Sequence, residues 1–260
     1  KFIADTNNEV KNENQEDKQS KDVQLLLKDL AYGYDKVLLR DINLSIKKGN
    51  KTLIVGTSGC GKSTLFYVLM RLLYPLKGNI FIQGKNYDDL AEKSIREHFA
   101  VAFQEHHIFN LSIRDNFKML YEDITDEEIY KSLENVYLLD FVKQVGLNYI
   151  VGNDGNKLSG GQKHRLQLAI CLAKQKDIIL LDEPTAGLDI KTTNNICSQL
   201  MEKYQKQTMI VTSHDISLLR FFDDIIICGE EKIIEQGNIK KLLLREDSYL
   251  NKLIRYKNFI

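Results

Sequence analysis

The sequence predicts an α/β fold in which a sheet core carries an inserted or appended α-helical subdomain. Three observations lead there. Short apolar, β-branched runs alternate with helical patterns, many of them bounded by Gly, Asn or Asp. The run "IILLD" (178–182) is apolar up to its last residue, as in a parallel strand buried on both faces. The stretch of about 107–175 lacks convincing strands, whereas both flanks are rich in them.

The elements follow in order. Residues 1–22 hold ten charged side chains and little to bury, so they read as a disordered or linker segment. The globular part is then 23–260. Strands are expected over 23–32, 37–46, 51–56, 78–84, 99–103, 178–182, 208–213 and 224–229. A helix is expected over 64–73, after the Gly61-Lys62-Ser63 turn. Two or three helical pieces fill 111–146, and Thr125 with Glu128 forms a capping box that starts one of them. Further helices are expected after Ser159, Asp189 and Asp215.

Composition excludes several classes. Lys plus Arg number 36 and Asp plus Glu number 36, so no net charge draws in nucleic acid or anionic lipid. Cys60, Cys171, Cys197 and Cys228 have neither disulfide-rich nor zinc spacing and read as reduced thiols. His98, His106 and His107 read as structural or subunit-contact residues and not as metal ligands. No apolar run approaches the roughly 20 residues of a membrane helix, so a soluble chain is expected. The start at Lys1, without Met or a signal-peptide pattern, is expected of a domain cut from something longer.

The first chemical motif is "GTSGCGKST", comprising Gly56, Thr57, Ser58, Gly59, Cys60, Gly61, Lys62, Ser63 and Thr64. It fits G-x-x-x-x-G-K-[ST] between a strand and a helix pattern. Its glycines let backbone N–H groups turn inward around phosphates, and the helix N-terminus adds positive potential. Lys62 is expected to reach the β- and γ-phosphates, and Ser63 to ligate Mg²⁺. The Cys60 thiol, at a helix N-terminus beside Lys62, is expected to have a lowered pKa. The second motif ends "IILLDEP". Asp182 is expected to hold Mg²⁺ through its water shell, and Glu183 to orient and partly deprotonate an attacking water.

The third is "LSGGQKHR", comprising Leu158, Ser159, Gly160, Gly161 and Gln162 followed by Lys163, His164 and Arg165. Ser159 and Gln162 form a capping box, which accounts for a helix start. It does not account for two glycines where a better helix former would stabilise the turn. A bare helix N-terminus with a serine hydroxyl is an anion site. One nucleotide could touch both glycine-rich stretches only across two subunits or after a large rearrangement.

Leu158-Ser159-Gly160-Gly161-Gln162 resembles the signature of the ATP-binding cassette (ABC) family, and the other motifs fall in that family's order over about 23–244. The resemblance implies a P-loop NTPase core with a mixed parallel sheet, an N-terminal antiparallel β subdomain and the inserted α-helical subdomain. It implies that Tyr34 stacks on adenine and that Gln104 contacts Mg²⁺ and senses a transmembrane partner. "AGLD", ending at Asp189, resembles the D-loop, and His214 the switch histidine near the γ-phosphate. ATP and Mg²⁺ are the implied ligands. A second ABC ATPase domain is the implied partner, its signature capping the γ-phosphate head-to-tail.

"YIVGNDGNKLSGGQ" and "EHHIFNLSIRDNF" resemble loops of ABC exporters, with Asn153 where those commonly carry Glu. Ile170 stands where many cassettes carry Arg, and altered packing is expected there. The implied whole is a half-transporter with its transmembrane domain fused before Lys1, working at the cytoplasmic face of the cell membrane. An importer ATPase subunit and a non-transport or regulatory cassette stay open as alternatives.

Overall fold

The computed structural model describes residues 22–104 and 108–257. The linker expected over 1–22, apart from Asp22, and the two histidines His106 and His107 lie outside the described residues. Two sheets organise the chain. Strands β1 (Val23–Gly33), β2 (Val37–Lys47), β4 (Lys77–Ile82) and the short β5 (Lys85–Asn86) form an antiparallel sheet in the order β2-β1-β4-β5. The main sheet runs β10-β9-β3-β8-β7-β6 and contains β3 (Lys51–Gly56), β6 (Phe99–Ala102), β7 (Ile178–Asp182), β8 (Thr208–Thr212), β9 (Asp224–Cys228) and β10 (Ile233–Asn238). Its members pair in parallel except β10, which runs antiparallel along the edge of β9.

Alternation along the main strands divides the core. Leu53, Val55, Ile179, Leu181, Val211 and Ile225 face one apolar cluster, shared with the helices that follow β6. Their neighbours Ile54, Ile178, Leu180, Ile210 and Ile226 face the other, shared with the antiparallel sheet and α1 (Lys62–Leu69). Both faces are therefore covered, which is why "IILLD" shows no polar alternation: every residue of β7 is buried. Each such fully buried Leu or Ile contributes about 1.5–3 kcal/mol relative to exposure.

Between β6 and β7, the described residues hold helices and no named strand: α3 (Ile113–Lys118), α4 (Asp126–Glu134), α5 (Leu139–Val145) and α6 (Gly160–Leu172). The Thr125 capping box is present, with Thr125 and Glu128 satisfying each other's backbone N–H groups. Ile170 is half-buried against the main core, a packing role open to it because it carries no charge.

The structure differs from the sequence reading in several places. Helix α1 ends at Leu69 instead of Leu73, because Arg71 adopts a left-handed backbone (φ 54°) and the amides of Leu72 and Leu73 fold back onto the Tyr67 carbonyl. The segment after Asp215 is a 3₁₀ turn (Ile216–Phe221) and not an α-helix, its start capped by the Asp215 carboxylate. Strands β5 and β10 and helices α2 (Glu92–Glu97), α8 (Ile239–Leu243) and α9 (Tyr249–Lys257) are further elements. The alternation of β10 is broken by "EQGN", so its pairing with β9 holds it as a strand.

Candidate functional site

The loop between β3 and α1 carries the first glycine-rich motif. Gly61 caps α1 with φ 98°, a conformation that excludes ordinary side chains. Beneath it, the buried Tyr32 donates its hydroxyl to the Gly61 carbonyl at 3.0 Å. Lys62 is buried and donates to the carbonyls of Gly56 and Thr57 at 2.9 and 3.0 Å. A cation beside a helix N-terminus whose first-turn amides lack intrahelical partners is an arrangement suited to an anion.

Parallel pairing of β7 with β8 aligns Asp182 with Thr212. The Thr212 hydroxyl donates to Asp182 Oδ1 at 2.5 Å and accepts from the Glu183 amide at 3.0 Å. Glu183 is buried in a left-handed backbone (φ 50°) that is uncommon for a residue with a side chain. Its carboxylate lies 3.1 Å from His214 Nε2 and accepts from the His214 amide at 3.3 Å.

These segments converge. A cavity of about 190 Å³ is lined by Lys62, Ser63, Gln104, Asp182, Glu183 and His214, with Ser58, Gly59, Gly61 and Thr64 completing its wall. A larger cavity of about 560 Å³ lies between the two sheets and holds none of the expected site residues. Gly56, Thr57 and Cys60 belong to the loop but do not line the smaller cavity. Tyr34 stands exposed at the turn between β1 and β2. Asp189 caps α7 (Ile190–Lys203), where hydrogen bonds from the Thr192 side chain and amide hold its carboxyl below the usual range.

The signature stretch lies outside this cavity. Ser159 and Gln162 form the expected capping box at the start of α6. The basic run after it, which the sequence left unexplained, is occupied within the chain: Lys163 pairs with Asp154 at 2.6 Å, the buried His164 bonds the Pro184 carbonyl, and Arg165 bonds the Gly161 carbonyl. The glycines are not. A Cβ on Gly160 would meet nothing within 4 Å, and one on Gly161 only Leu188 at 3.7 Å.

The ABC transporter family model matches residues 39–186. The chain belongs to the ABC transporter family. It is 34% identical over 87% of its length to the glutathione/L-cysteine transport system ATP-binding/permease protein CydC of Escherichia coli (strain K12), covering 40% of that protein. It is 36% identical over 83% of its length to multidrug resistance protein pgp-1 of Caenorhabditis elegans, covering 16% of it. It is also 32% identical over 86% of its length to the ATP-dependent lipid A-core flippase of Haemophilus influenzae, covering 39% of it. A bacterial Atm1-family ABC exporter solved with ATP bound superposes with a TM-score of 0.83 at 29% identity, over 90% of this chain and 42% of that one. The chain thus spans well under half the length of these ABC relatives, and among its described residues no helix is long and apolar enough to cross a membrane.

Sequence reading missed Tyr32 and Thr212. Thr212 had one available signal, its place two residues before His214 at the end of an apolar strand. With its hydroxyl bridging Asp182 and the Glu183 amide, Thr212→Val is expected to lower kcat for ATP about tenfold with KM little changed, because the carboxylate loses its fixed aim. Thr212→Ser keeps the hydroxyl and is expected to restore turnover. Steady-state kinetics of the three proteins check this, and equal loss in the Val and Ser variants would mean that the methyl group matters instead.

Proposed function

We propose that this ABC domain binds and hydrolyses ATP, and that hydrolysis powers export across a membrane through head-to-tail pairing of two such domains. One observation carries the reading: a single cavity gathers Lys62, Ser63, Gln104, Asp182, Glu183 and His214 from four separate segments of chain. No anion cradle by itself needs a carboxylate and a histidine opposite the lysine.

In this reading the loop amides of 56–64 and the Lys62 ammonium hold the β- and γ-phosphates, with Tyr34 against the adenine. The oxygen donors of Ser63, Gln104 and Asp182 fit Mg²⁺, a hard cation that prefers such ligands and keeps several waters. When bound, Mg²⁺ would neutralise phosphate charge. Glu183 accepts a proton from the attacking water, and His214, 3.1 Å away, holds that carboxylate toward the γ-phosphate position. A partner domain contributes Leu158-Ser159-Gly160-Gly161-Gln162 as a cap on the γ-phosphate, with Asp189 at the same interface. The empty space over Gly160 supports this role, since nothing among the described residues requires a glycine there. Losing the γ-phosphate removes contacts that only the paired state makes, so hydrolysis shifts the population toward separated domains.

The exporter reading and the fused transmembrane partner find support in relatives named as ATP-binding/permease proteins and in the Atm1-family exporter. In this reading the domain works at the cytoplasmic face of the membrane that its transmembrane partner spans. Steady-state phosphate release tests the core of the reading. Chelation of Mg²⁺ with EDTA is expected to abolish release, and added Mg²⁺ to restore it fully. Release that continues undiminished in EDTA would remove Ser63, Gln104 and Asp182 from their assigned role.

A further inference from the structure

Two of the four cysteines meet beneath the phosphate loop. Cys60 lies in the loop, and Cys228 ends β9, whose parallel pairing with β3 aligns it with Gly56. Gly56 is the gap between them: a Cβ there would lie 2.8 Å from Cys60 Sγ and 3.0 Å from Cys228 Cβ. Removing that one carbon is what lets the two side chains come together. The adjacent Cys228 thiol, more than the neighbouring Lys62 charge, holds the Cys60 thiol below its ordinary range. The Cys60 thiol, with burial, raises that of Cys228. The sequence reading anticipated the direction for Cys60 but named only the helix end and Lys62, because a residue 168 positions away in the chain carries no local signal. Cys171 and Cys197 differ: both are buried, and burial raises the pKa of each thiol.

Access exists from one side. A cavity of about 450 Å³, walled by Gly56, Thr57, Cys228 and Gly229 and by Tyr249 and Leu253 of α9, opens onto Cys228, the Cys60 neighbour, and is flanked by the loop residues Gly56 and Thr57. A small hydroperoxide fits that space.

We propose that Cys60 and Cys228 form a reversible disulfide in response to hydroperoxides, and that this bond disables the phosphate loop. The Cys60 thiolate attacks one peroxide oxygen, so an S–O bond forms, the O–O bond breaks, and an alcohol or water leaves with a proton. Cys228 sulfur then attacks Cys60 sulfur. An S–S bond forms, the S–O bond breaks, and hydroxide leaves as water with the Cys228 proton. Two thiols lose two electrons and two protons, and one hydroperoxide takes them up. A dithiol reverses the change by exchange. The tether would bind the loop to the end of β9, whereas phosphate binding needs the amides of 59–63 free to close around the anion.

The test treats the chain with hydrogen peroxide, with and without ATP. Two readouts follow: peptide mapping of the linkage, and titration with a fluorescent ATP analogue. A Cys60–Cys228 linkage is expected, with analogue affinity at least about tenfold weaker, restored by dithiothreitol and protected by ATP. Cys228→Ser is expected to bind the analogue when reduced and to keep binding after peroxide. Cys228→Ala serves the same purpose if the serine variant does not fold, and Cys171→Ala is expected to remain peroxide-sensitive. Peroxide that leaves Cys60 and Cys228 unlinked overturns the proposal, as does a linkage that leaves affinity unchanged. The loss of affinity rests on the nucleotide site proposed above, but the linkage does not. An analogue that fails to bind even the reduced chain would therefore count against that site, with the peptide map still deciding the disulfide.

Discussion

Glu183→Gln is expected to bind ATP and to stop there. Its turnover should fall by about 10²–10⁴-fold, the usual contribution of a positioned general base. The amide keeps the volume of the side chain, and the backbone of residue 183 stays anchored by Thr212, so the cavity should keep its shape. What is lost, in the proposed mechanism, is the proton acceptor for the attacking water, together with the carboxylate that lies 3.1 Å from His214. Because hydrolysis is what separates the paired domains in this mechanism, the variant should accumulate as an ATP-bound dimer. Size-exclusion chromatography with light scattering, run with and without ATP, reads that directly. Turnover near the wild-type rate would remove Glu183 from the role of base, whatever the oligomeric state.

Gly160→Asp separates binding from turnover, and its expected effect on catalysis is equally large. Inside one chain the change is benign: a Cβ at 160 has open space, and an acidic residue in the first turn of α6 favours the helix dipole. The fold should be as stable as before. ATP affinity of the single chain should also hold, since residue 160 does not line the cavity. Turnover should vanish, because the carboxylate would face a partner's γ-phosphate. Lys62→Ala fails for the opposite reason, through lost phosphate binding. Mixing the two inactive proteins gives the decisive readout. A heterodimer has one site with both defects and one with neither, so random pairing should restore roughly a quarter of wild-type activity. A mixture that stays inactive, from two variants that each fold, would rule out the head-to-tail arrangement between copies of this chain.

Why these residues and not others were readable follows from how far apart the participants lie. The loop from Gly56 to Thr64 was legible because its glycines, lysine and flanking strand and helix form one contiguous signal. The two capping boxes at Thr125 and Ser159 were legible for the same reason, each being a contact over three residues. Asp182 and Glu183 gained meaning from the fully apolar strand that delivers them, together with the phosphate loop upstream. By contrast, β10 reads poorly because its partner β9, and not its own composition, holds it in place. The early end of α1 comes from backbone bonds onto Tyr67 that no residue type announces.

By itself the sequence determined that this chain is an α/β protein with a phosphate loop, a delivered acidic pair and a second glycine-rich helix start, in the order of an ABC domain. Tertiary structure alone decided which side chains share a cavity: it brought Gln104 and His214 to Glu183, set Tyr32 under Gly61, and pinned Asp182 with Thr212. It also showed that Lys163, His164 and Arg165 are all bonded within the chain while Gly160 faces open space, and it placed Cys228 near Cys60. The reason is physical. Parallel strands bring together residues whose separation along the chain exceeds the reach of any helix or turn, and only the register of the assembled sheet says which of them meet.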